Sequence, residues 1–495
     1  MCKDNYFYSM EPIVSKPKKG QIIQDRIESM AYGGKGIIKI NLNEGQYVIF
    51  ISNTITGQIV KFRIIKKKEK YAEGRLIEII KKSEIEKKIK YQSISGAPYS
   101  TLDIAFQQEL KKSQVIDLMK RIGGITDSEK KLDKFIKSPR IWHYRNKMDY
   151  SFSSIGFDKK KNKVIDEFSL GFKRINTWWI VENLEKDSGL FDKEWEDSLM
   201  DIKKYCISTK LPAWNIPQKK GFFRNIVVRK SISEDKLLIE LITSTEGLKK
   251  FNPDNFVKKI LSIHKKRIGG IIHTINDDIS DRVDYKKTKS NILFGKNKIN
   301  ETINDLTFQV SMSSFFQTNP RAAEKLYSQV CNYVFEEKIN NGGIILDLFC
   351  GTGTITQIIA KKNKKIKVIG VEIVEEAINN AIKNAKKNNI SNVSFFKGDI
   401  GKIIEENPSF ENKIECIVID PPRSGVAKKS LKKIINLNSK RIVYISCDPS
   451  TQARDYKYLI ESGYQLIKFS IIDQFPHTYH IETIGLLEKK HCIFK

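Results

Sequence analysis

The sequence predicts an α/β protein: a Rossmann-like, doubly wound parallel sheet in its last third, after a small OB-like β-barrel and an α+β middle. Three observations carry this. From residue 311 onward, β-branched runs of five or six residues alternate with helical periods, the pattern of strand–helix–strand units. Residues 16–80 hold short alternating runs separated by Gly and Asn turns, with no helical period. The stretch between them mixes both periods. The expected domains are residues 16–80, 90–310 and 311–495, in keeping with a chain of 495 residues. A hydrophobic content of 40% is enough to build their cores.

In the first domain the runs 21–27, 36–40, 47–51, 58–65 and 74–80 read as five strands. A five-stranded barrel of the OB type is a common nucleic-acid platform, and equally a structural module. Residues 81–90 form a charged, solvated linker. Residues 99–122 have helical periodicity, with Leu102, Phe106, Leu110, Val115 and Leu118 on one side. Between 142 and 308 the pattern is α+β. The run 221–229 (GFFRNIVVR) interleaves aromatic and basic residues on a strand, where they could stack bases or pack a sheet.

The last region contains strands at 344–348, 367–372, 393–397, 414–419 and 441–445, with a helix at 375–388. Buried parallel strands read as such continuous apolar runs.

Lys and Arg exceed Asp and Glu by 87 − 58 = 29 charges, which points to a polyanionic partner, nucleic acid first. Lys, Ile and Asn are abundant throughout, which dilutes that signal. Seven cysteines (Cys2, Cys206, Cys331, Cys350, Cys416, Cys447 and Cys492) are scattered without a CxxC pair or zinc spacing, as expected in a reducing cytoplasm. The first residues hold no apolar h-region, so no signal peptide is expected, and no apolar run approaches membrane-spanning length. No obligate protein partner is evident.

Four motifs carry chemistry. Strand 344–348 runs into Phe349-Cys350-Gly351-Thr352-Gly353-Thr354, a turn whose glycines let a ligand approach the backbone. A second strand ends at Glu372, placed to accept ribose hydroxyls. Thr356 stands where a dinucleotide site has its third Gly, and no Walker lysine follows. The loop resembles the S-adenosylmethionine (AdoMet) loop of class I methyltransferases, and Phe349 beside it can pack on the cofactor. Asp420-Pro421-Pro422-Arg423 ends the next strand in a rigid loop. Arg423 stands where adenine-N6 enzymes carry a stacking aromatic. Strand 441–445 stops at Ser446-Cys447-Asp448-Pro449, putting the Cys447 thiol at the carboxyl end of the sheet. Alone, such a Cys is more often inert core. Finally, 473–483 places His477, His480 and Glu482 before an apolar strand. The two His lack a third ligand, so no metal is expected, and Glu482 is the better candidate, as a base.

These groups fit one reaction. C5 of uracil is a poor nucleophile. A thiolate adding to C6 makes C5 nucleophilic, and a base must then remove the C5 proton so that the thiolate can leave. Cys447, Glu482 and Asp420 supply nucleophile, base and a group to position the uracil edge. An electropositive neighbour such as Arg423 is expected to make the thiolate available near neutral pH.

Taken together, DLFCGTGT, DPPRSG, YISCDPSTQARD and FPHTYHIET resemble the 5-methyluridine RNA methyltransferase family, over residues 310–495. Ser313-Ser314-Phe315-Phe316-Gln317-Thr318-Asn319 matches the family's entry to the catalytic domain. The runs Ala31-Tyr32-Gly33-Gly34-Lys35-Gly36, Thr56-Gly57-Gln58-Ile59-Val60 and Tyr71-Ala72-Glu73-Gly74-Arg75-Leu76 resemble the TRAM RNA-binding domain. The resemblance implies an AdoMet-dependent RNA (uracil-C5)-methyltransferase, with Cys447 as nucleophile and Glu482 as base. Gln317, Phe349, Glu372 and Asp420 would contact AdoMet, and Thr354 and Asp399 complete the expected cofactor set. Many TRAM-bearing members hold an iron–sulfur cluster. Here the corresponding segment, 93–98, has no cysteine, so no cluster is expected. The TRAM match favours 23S ribosomal RNA over the tRNA T-loop as substrate. A 5-methylcytosine enzyme is disfavoured because no Cys follows Pro421-Pro422. A non-catalytic RNA-binding or ribosome-assembly factor is disfavoured by the intact Cys447, Glu482 and Asp420.

Overall fold

The computed structural model describes residues 15–490 except 44, 160, 176, 279–287, 400, 401, 404, 405, 411 and 412. Cys2 and Cys492 lie outside the described residues. The chain forms two compact units. One comprises residues up to 114 with 174–178 and 477–479; the other holds the remainder.

The first unit contains β1 (Ile22–Arg26), β2 (Ser29–Ala31), β3 (Lys35–Leu42), β4 (Gly45–Ser52), β5 (Ile59–Lys67) and β6 (Tyr71–Lys81). They form one sheet in the order β1-β5-β6-β4-β3-β2. Alternate residues (Ile38, Ile40, Ile49, Ile51, Val60, Phe62, Ile64) point into a shared core, as period-two patterning requires. Six strands stand where five are expected. The extra one, β2, is three residues long, too short to show a period. The turn into β3 depends on Gly33 and Gly34, both at positive φ. A Cβ on Gly34 would meet the Tyr479 ring at 2.6 Å.

Helix α1 (Ile104–Arg121) confirms the expected element but not its face. Phe106 is 37% exposed, whereas Gln107, Lys111, Gln114, Val115 and Met119 are buried. Polar groups can be buried when hydrogen-bonded. Gln107 Nε2 donates to the carbonyls of Tyr99 and Leu102, both at 2.9 Å, and Gln114 Nε2 to that of Met30 at 2.9 Å.

The second unit begins with α2 (Ser128–Lys131) and β7 (Leu132–Ile136). A central sheet follows, from β8 (Lys147–Asp158), β9 (Lys163–Lys173), β10 (Val181–Asn183), β11 (Phe223–Lys230), β12 (Leu237–Thr243), β13 (Ile268–Ile275) and β14 (Lys289–Gly295). Helices α3 (Lys193–Ser208) and α4 (Pro253–His264) pack on it. On β11, Phe223, Arg224 and Arg229 are all buried. The Phe222 and Phe223 rings pack edge to face at 4.9 Å, and the Arg224 guanidinium lies 4.3 Å from the Trp214 ring. Of the two readings of this run, base stacking and sheet packing, the structure therefore supports packing.

A hairpin, β15 (Lys298–Ile303) and β16 (Leu306–Ser311), leads into α5 (Pro320–Val334). Then come β17 (Ile344–Leu348), α6 (Thr354–Lys362), β18 (Lys367–Glu372), α7 (Glu375–Lys387), β19 (Val393–Lys397) and β20 (Ile414–Ile419). The chain ends with α8 (Lys428–Asn436), β21 (Arg441–Ser446), α9 (Pro449–Glu461), β22 (Tyr464–Ile472) and β23 (Glu482–Lys489). The sheet order is β19-β18-β17-β20-β21-β23-β22-β7. Strands β17 to β21 are parallel and β23 runs antiparallel between β21 and β22.

The three expected domains are thus not cleanly separate. β7, from within 90–310, pairs in parallel with β22 and so belongs to the sheet of the last region. The hydrophobic residues Ile345, Val368, Val418, Val443 and Ile484 form the core of that sheet.

Candidate active site

β17 lies between β18 and β20, so the chain leaves its two sides in opposite directions. Crevices open at such switch points, outside the carboxyl ends of the strands. Here the crevice is a cavity of about 790 Å³, lined by the loops that follow β17, β20, β21 and β22, by the ends of β18 and β23, by α5, α6 and α7, and by the loop 313–318.

At one end of the cavity lie Phe349, Gly351, Thr354, Glu372, Ile373, Val374 and Gln317. Phe349 has φ 64°, a strained conformation for a non-glycine residue, and it lines the cavity. Gly353, at φ 74°, caps α6, and a Cβ there would meet the Phe395 ring at 2.7 Å. Thr356, in the place of the third glycine, donates from its hydroxyl to the buried Asp347 carboxylate at 2.5 Å beneath the turn. Glu372 accepts from the backbone N–H groups of Gly351 (3.2 Å), Ile373 (2.8 Å) and Val374 (3.0 Å), which fixes its carboxylate at the strand end. Gln317 Oε1 accepts from the buried Gln474 amide at 3.4 Å.

At the other end lie Asp420, Pro421, Pro422, Arg423, Cys447, Phe475 and Glu482, with Tyr327 from α5. β21 ends at Ser446, whose hydroxyl ties the turn to the Asp448 backbone. Asp448 caps α9 by accepting from Ser450 N–H at 3.0 Å. Thr483 and Gln452 brace the same turn through a 2.7 Å hydrogen bond. The thiol of Cys447 and the carboxyls of Asp420 and Glu482, by contrast, make no side-chain hydrogen bond to any described residue.

Burial and the charge of Glu482 push the Cys447 thiol up to about 11, against the pull of Arg423. The expected easy thiolate is therefore corrected: the electropositive neighbour is present, but desolvation and three acidic neighbours outweigh it. Burial raises Asp420 to about 7. Glu482 is raised well above the usual carboxylate range, first by burial and then by Asp420. Burial thus opposes the ionisation of all three.

Asp399 does not join this set. It follows Gly398 beyond β19, is exposed, and pairs with Lys433 of α8 rather than lining the cavity. The two histidines diverge too. His477 Nδ1 lies 3.1 Å from Gln107 Nε2, and His480 Nδ1 lies 3.5 Å from Arg423. No group of three or more potential metal ligands occurs among the described residues. Tyr327, Phe475 and Asn380 line the cavity without having been anticipated; Tyr327 and Asn380 reach it from helices whose sequence carries no motif, and Phe475 from the 473–483 motif, where only His477, His480 and Glu482 drew notice.

Residues 278–490 match the family model described as tRNA (uracil-5-)-methyltransferase. A protein of Clostridium tetani named as an uncharacterized RNA methyltransferase is 36% identical, over 96% of this chain and 99% of its own length. The chain belongs to this RNA methyltransferase family. Another family member, from Caldanaerobacter subterraneus, is 35% identical over 95% of this chain and 99% of its own. The fold is shared with the crystal structure of the Pyrococcus abyssi tRNA (uracil-54, C5)-methyltransferase in complex with S-adenosyl-L-homocysteine. That match has a TM-score of 0.68 at 23% identity and covers 94% of this chain and 100% of that one. As a family member, this chain is an RNA methyltransferase. No helix among the described residues is long and apolar enough to cross a membrane.

Proposed function

We propose that this enzyme methylates C5 of a specific uridine in 23S ribosomal RNA, in the cytoplasm, by covalent addition of Cys447 to C6. The observation that carries this reading is the single cavity where Cys447, Asp420 and Glu482 meet with no internal hydrogen bond to hold them. Glu482 is buried and Asp420 and Cys447 are half-buried; such groups are normally paired, so three without a side-chain partner facing a cavity fit a site whose partners arrive with the substrate.

The other end of the cavity fits AdoMet. Ile373 is 75% exposed and Val374 48%, an apolar strip suited to a flat ring. Space beyond Gly351 is open where a side chain would stand. The Glu372 carboxylate, held by three N–H groups, keeps lone pairs for hydroxyls. Gln317, Phe349, Thr354 and Asp420 would complete the contacts. Bound there, AdoMet supplies an electrophilic methyl group.

The chain's own groups do the rest. Cys447 Sγ bonds to C6 while the C5–C6 π pair shifts toward C5 and O4, and Asp420 holds the polar edge of the ring. Sγ adds as the thiolate, its proton having passed to solvent, and Arg423 favours that form, since its charge opposes the upward shift of the thiol. After C5 gains its fourth substituent, the ionised Glu482 removes the C5 proton, the C5–C6 π bond reforms and Sγ departs.

The substrate choice rests on the TRAM-like sequence of the N-terminal sheet. The tRNA T-loop is the second reading, favoured by the name of the matching family model. No iron–sulfur cluster is assigned, because residues 93–98 hold no cysteine. The test is to map 5-methyluridine in ribosomal RNA and tRNA from a strain lacking this protein and from its parent. Loss at one defined ribosomal uridine is expected. Loss confined to the T-loop would keep the chemistry and move the substrate, and no loss in either RNA would overturn the reading.

A further inference from the structure

The loop 312–318 brings Phe315 and Gln317 to the cavity, yet Phe315 is 76% exposed and gains little from packing. Its place must be set through the backbone. The backbone is held from the central sheet. Lys147 Nζ donates to the Met312 carbonyl at 3.3 Å, and Arg229 Nη2 to that of Ser314 at 2.9 Å. Asn146 donates twice, from its N–H to the Thr318 carbonyl at 2.8 Å and from Nδ2 to the Gln317 carbonyl at 3.1 Å. Four carbonyls of one loop are thus gripped by three consecutive or cross-strand neighbours.

The arrangement is costly in the sheet itself. Lys147 on β8 and Arg229 on β11 stand directly opposite each other in register. Like charges in that position destabilise a sheet, and burial first, then the Arg229 charge, lowers the affinity of Lys147 for its proton, against the pull of Asp149 and Glu240. Two cations aimed at carbonyls of a loop outside the sheet make sense of the pair, because each places one donor on the loop, Lys147 through Nζ and Arg229 through Nη2. We infer that Asn146, Lys147 and Arg229 are positioning residues, which fix the loop so that Phe315 and Gln317 face the cavity. The consequence for ligand affinity rests on the proposed reading of the cavity as the AdoMet site.

The experiment measures AdoMet binding by the purified full-length protein, using equilibrium dialysis with labelled AdoMet, alongside thermal unfolding. Lys147→Met keeps the apolar stem and removes the ammonium. Asn146→Ala removes one side-chain hydrogen bond and no charge. Each is expected to weaken AdoMet binding about fivefold, the effect of one lost hydrogen bond. For Lys147→Met the unfolding midpoint should hold within about 3 °C, since a like-charge clash is relieved as a hydrogen bond is lost. A purely structural role predicts the reverse: a lower midpoint with unchanged affinity, and that result overturns the inference. Should Lys147→Met not fold, Asn146→Ala decides alone. Failure of the wild-type protein to bind AdoMet would sink the reading of the cavity itself, and is visible without any variant.

Discussion

Glu196 and Glu301 in the central region, and Asp420 and Glu482 at the cavity, are all carboxyl groups whose proton affinity burial has raised. Their surroundings differ in kind. Glu196 accepts from Tyr150 Oη (3.0 Å), Ser188 N–H (2.6 Å) and Ser188 Oγ (2.9 Å). Glu301 accepts from the N–H groups of Ile232, Ser233 and Thr302, at 2.6, 3.0 and 3.1 Å. Desolvation is offset there by hydrogen bonds that tie loops to helices and strands. At the cavity, Asp420 and Glu482 are desolvated with no such return. A shifted proton affinity therefore does not by itself mark a catalytic group; a shift with unmet hydrogen-bonding capacity beside a cavity does.

The same contrast separates the cysteines, and it yields the largest expected effect. Cys206 and Cys447 both have thiols pushed upward by burial, but only Cys447 lines the cavity. Cys447→Ala should lower methyl transfer to RNA by about 10⁴-fold or more, because the covalent route is lost outright. Cys206→Ala should leave the rate per folded molecule within about twofold, with its effect confined to stability. Equal losses of rate in labelled methyl-transfer assays would erase the distinction.

The next effect is smaller and more specific. Glu482→Gln leaves Cys447 able to add and C5 able to accept the methyl group, but removes the base for the last step. Turnover should fall by about 10²–10⁴-fold, and a protein–RNA adduct that survives denaturing electrophoresis should accumulate. Loss of turnover without any adduct would move Glu482 to an earlier step.

How far the residues alone reveal this organisation depends on where a signal is local. Strands β17 to β21 are legible because parallel strands covered on both faces read as unbroken β-branched runs. Strand β7 is not, because it is an edge strand with a mixed sequence, Leu-Asp-Lys-Phe-Ile, and its partner lies more than three hundred residues away. The buried side of α1 is hidden because its anchors are glutamines whose partners are carbonyls elsewhere in the fold. At the site, strand-end residues carry motifs that point to the cavity they line, whereas Tyr327 reaches the cavity from a helix of ordinary period. Asp399 is expected in the cofactor set; in the fold it pairs with Lys433 and is not among the residues that line the cavity. The protonation of Cys447 depends on burial and on Glu482, neither of which can be read along the chain.

The smallest effect sharpens the comparison most, because it sets stability against function. A carboxyl raised in the native state binds its proton there while the unfolded chain has released it, so its contribution is full at low pH and lost as pH rises through the native value. Glu482 and Glu196 both obey this sign, Glu196 losing its contribution between the ordinary carboxylate range and about 8. Replacing Glu482 by a neutral amide removes a carboxyl that the native state disfavours ionised and that has no internal partner. Glu482→Gln should match wild type in unfolding midpoint near pH 4. By pH 8 it should be more stable by about 1 kcal/mol, or about 2–4 °C. Glu196→Ala strands the Tyr150 hydroxyl and the Ser188 N–H inside the fold, so it should instead destabilise at every pH, by about 3 kcal/mol. Midpoints measured across pH 4–8 for the two variants test this directly. A Glu482→Gln protein that loses stability as pH rises would mean that its carboxylate has a structural partner after all, and the two pairs of carboxyls would no longer differ in kind.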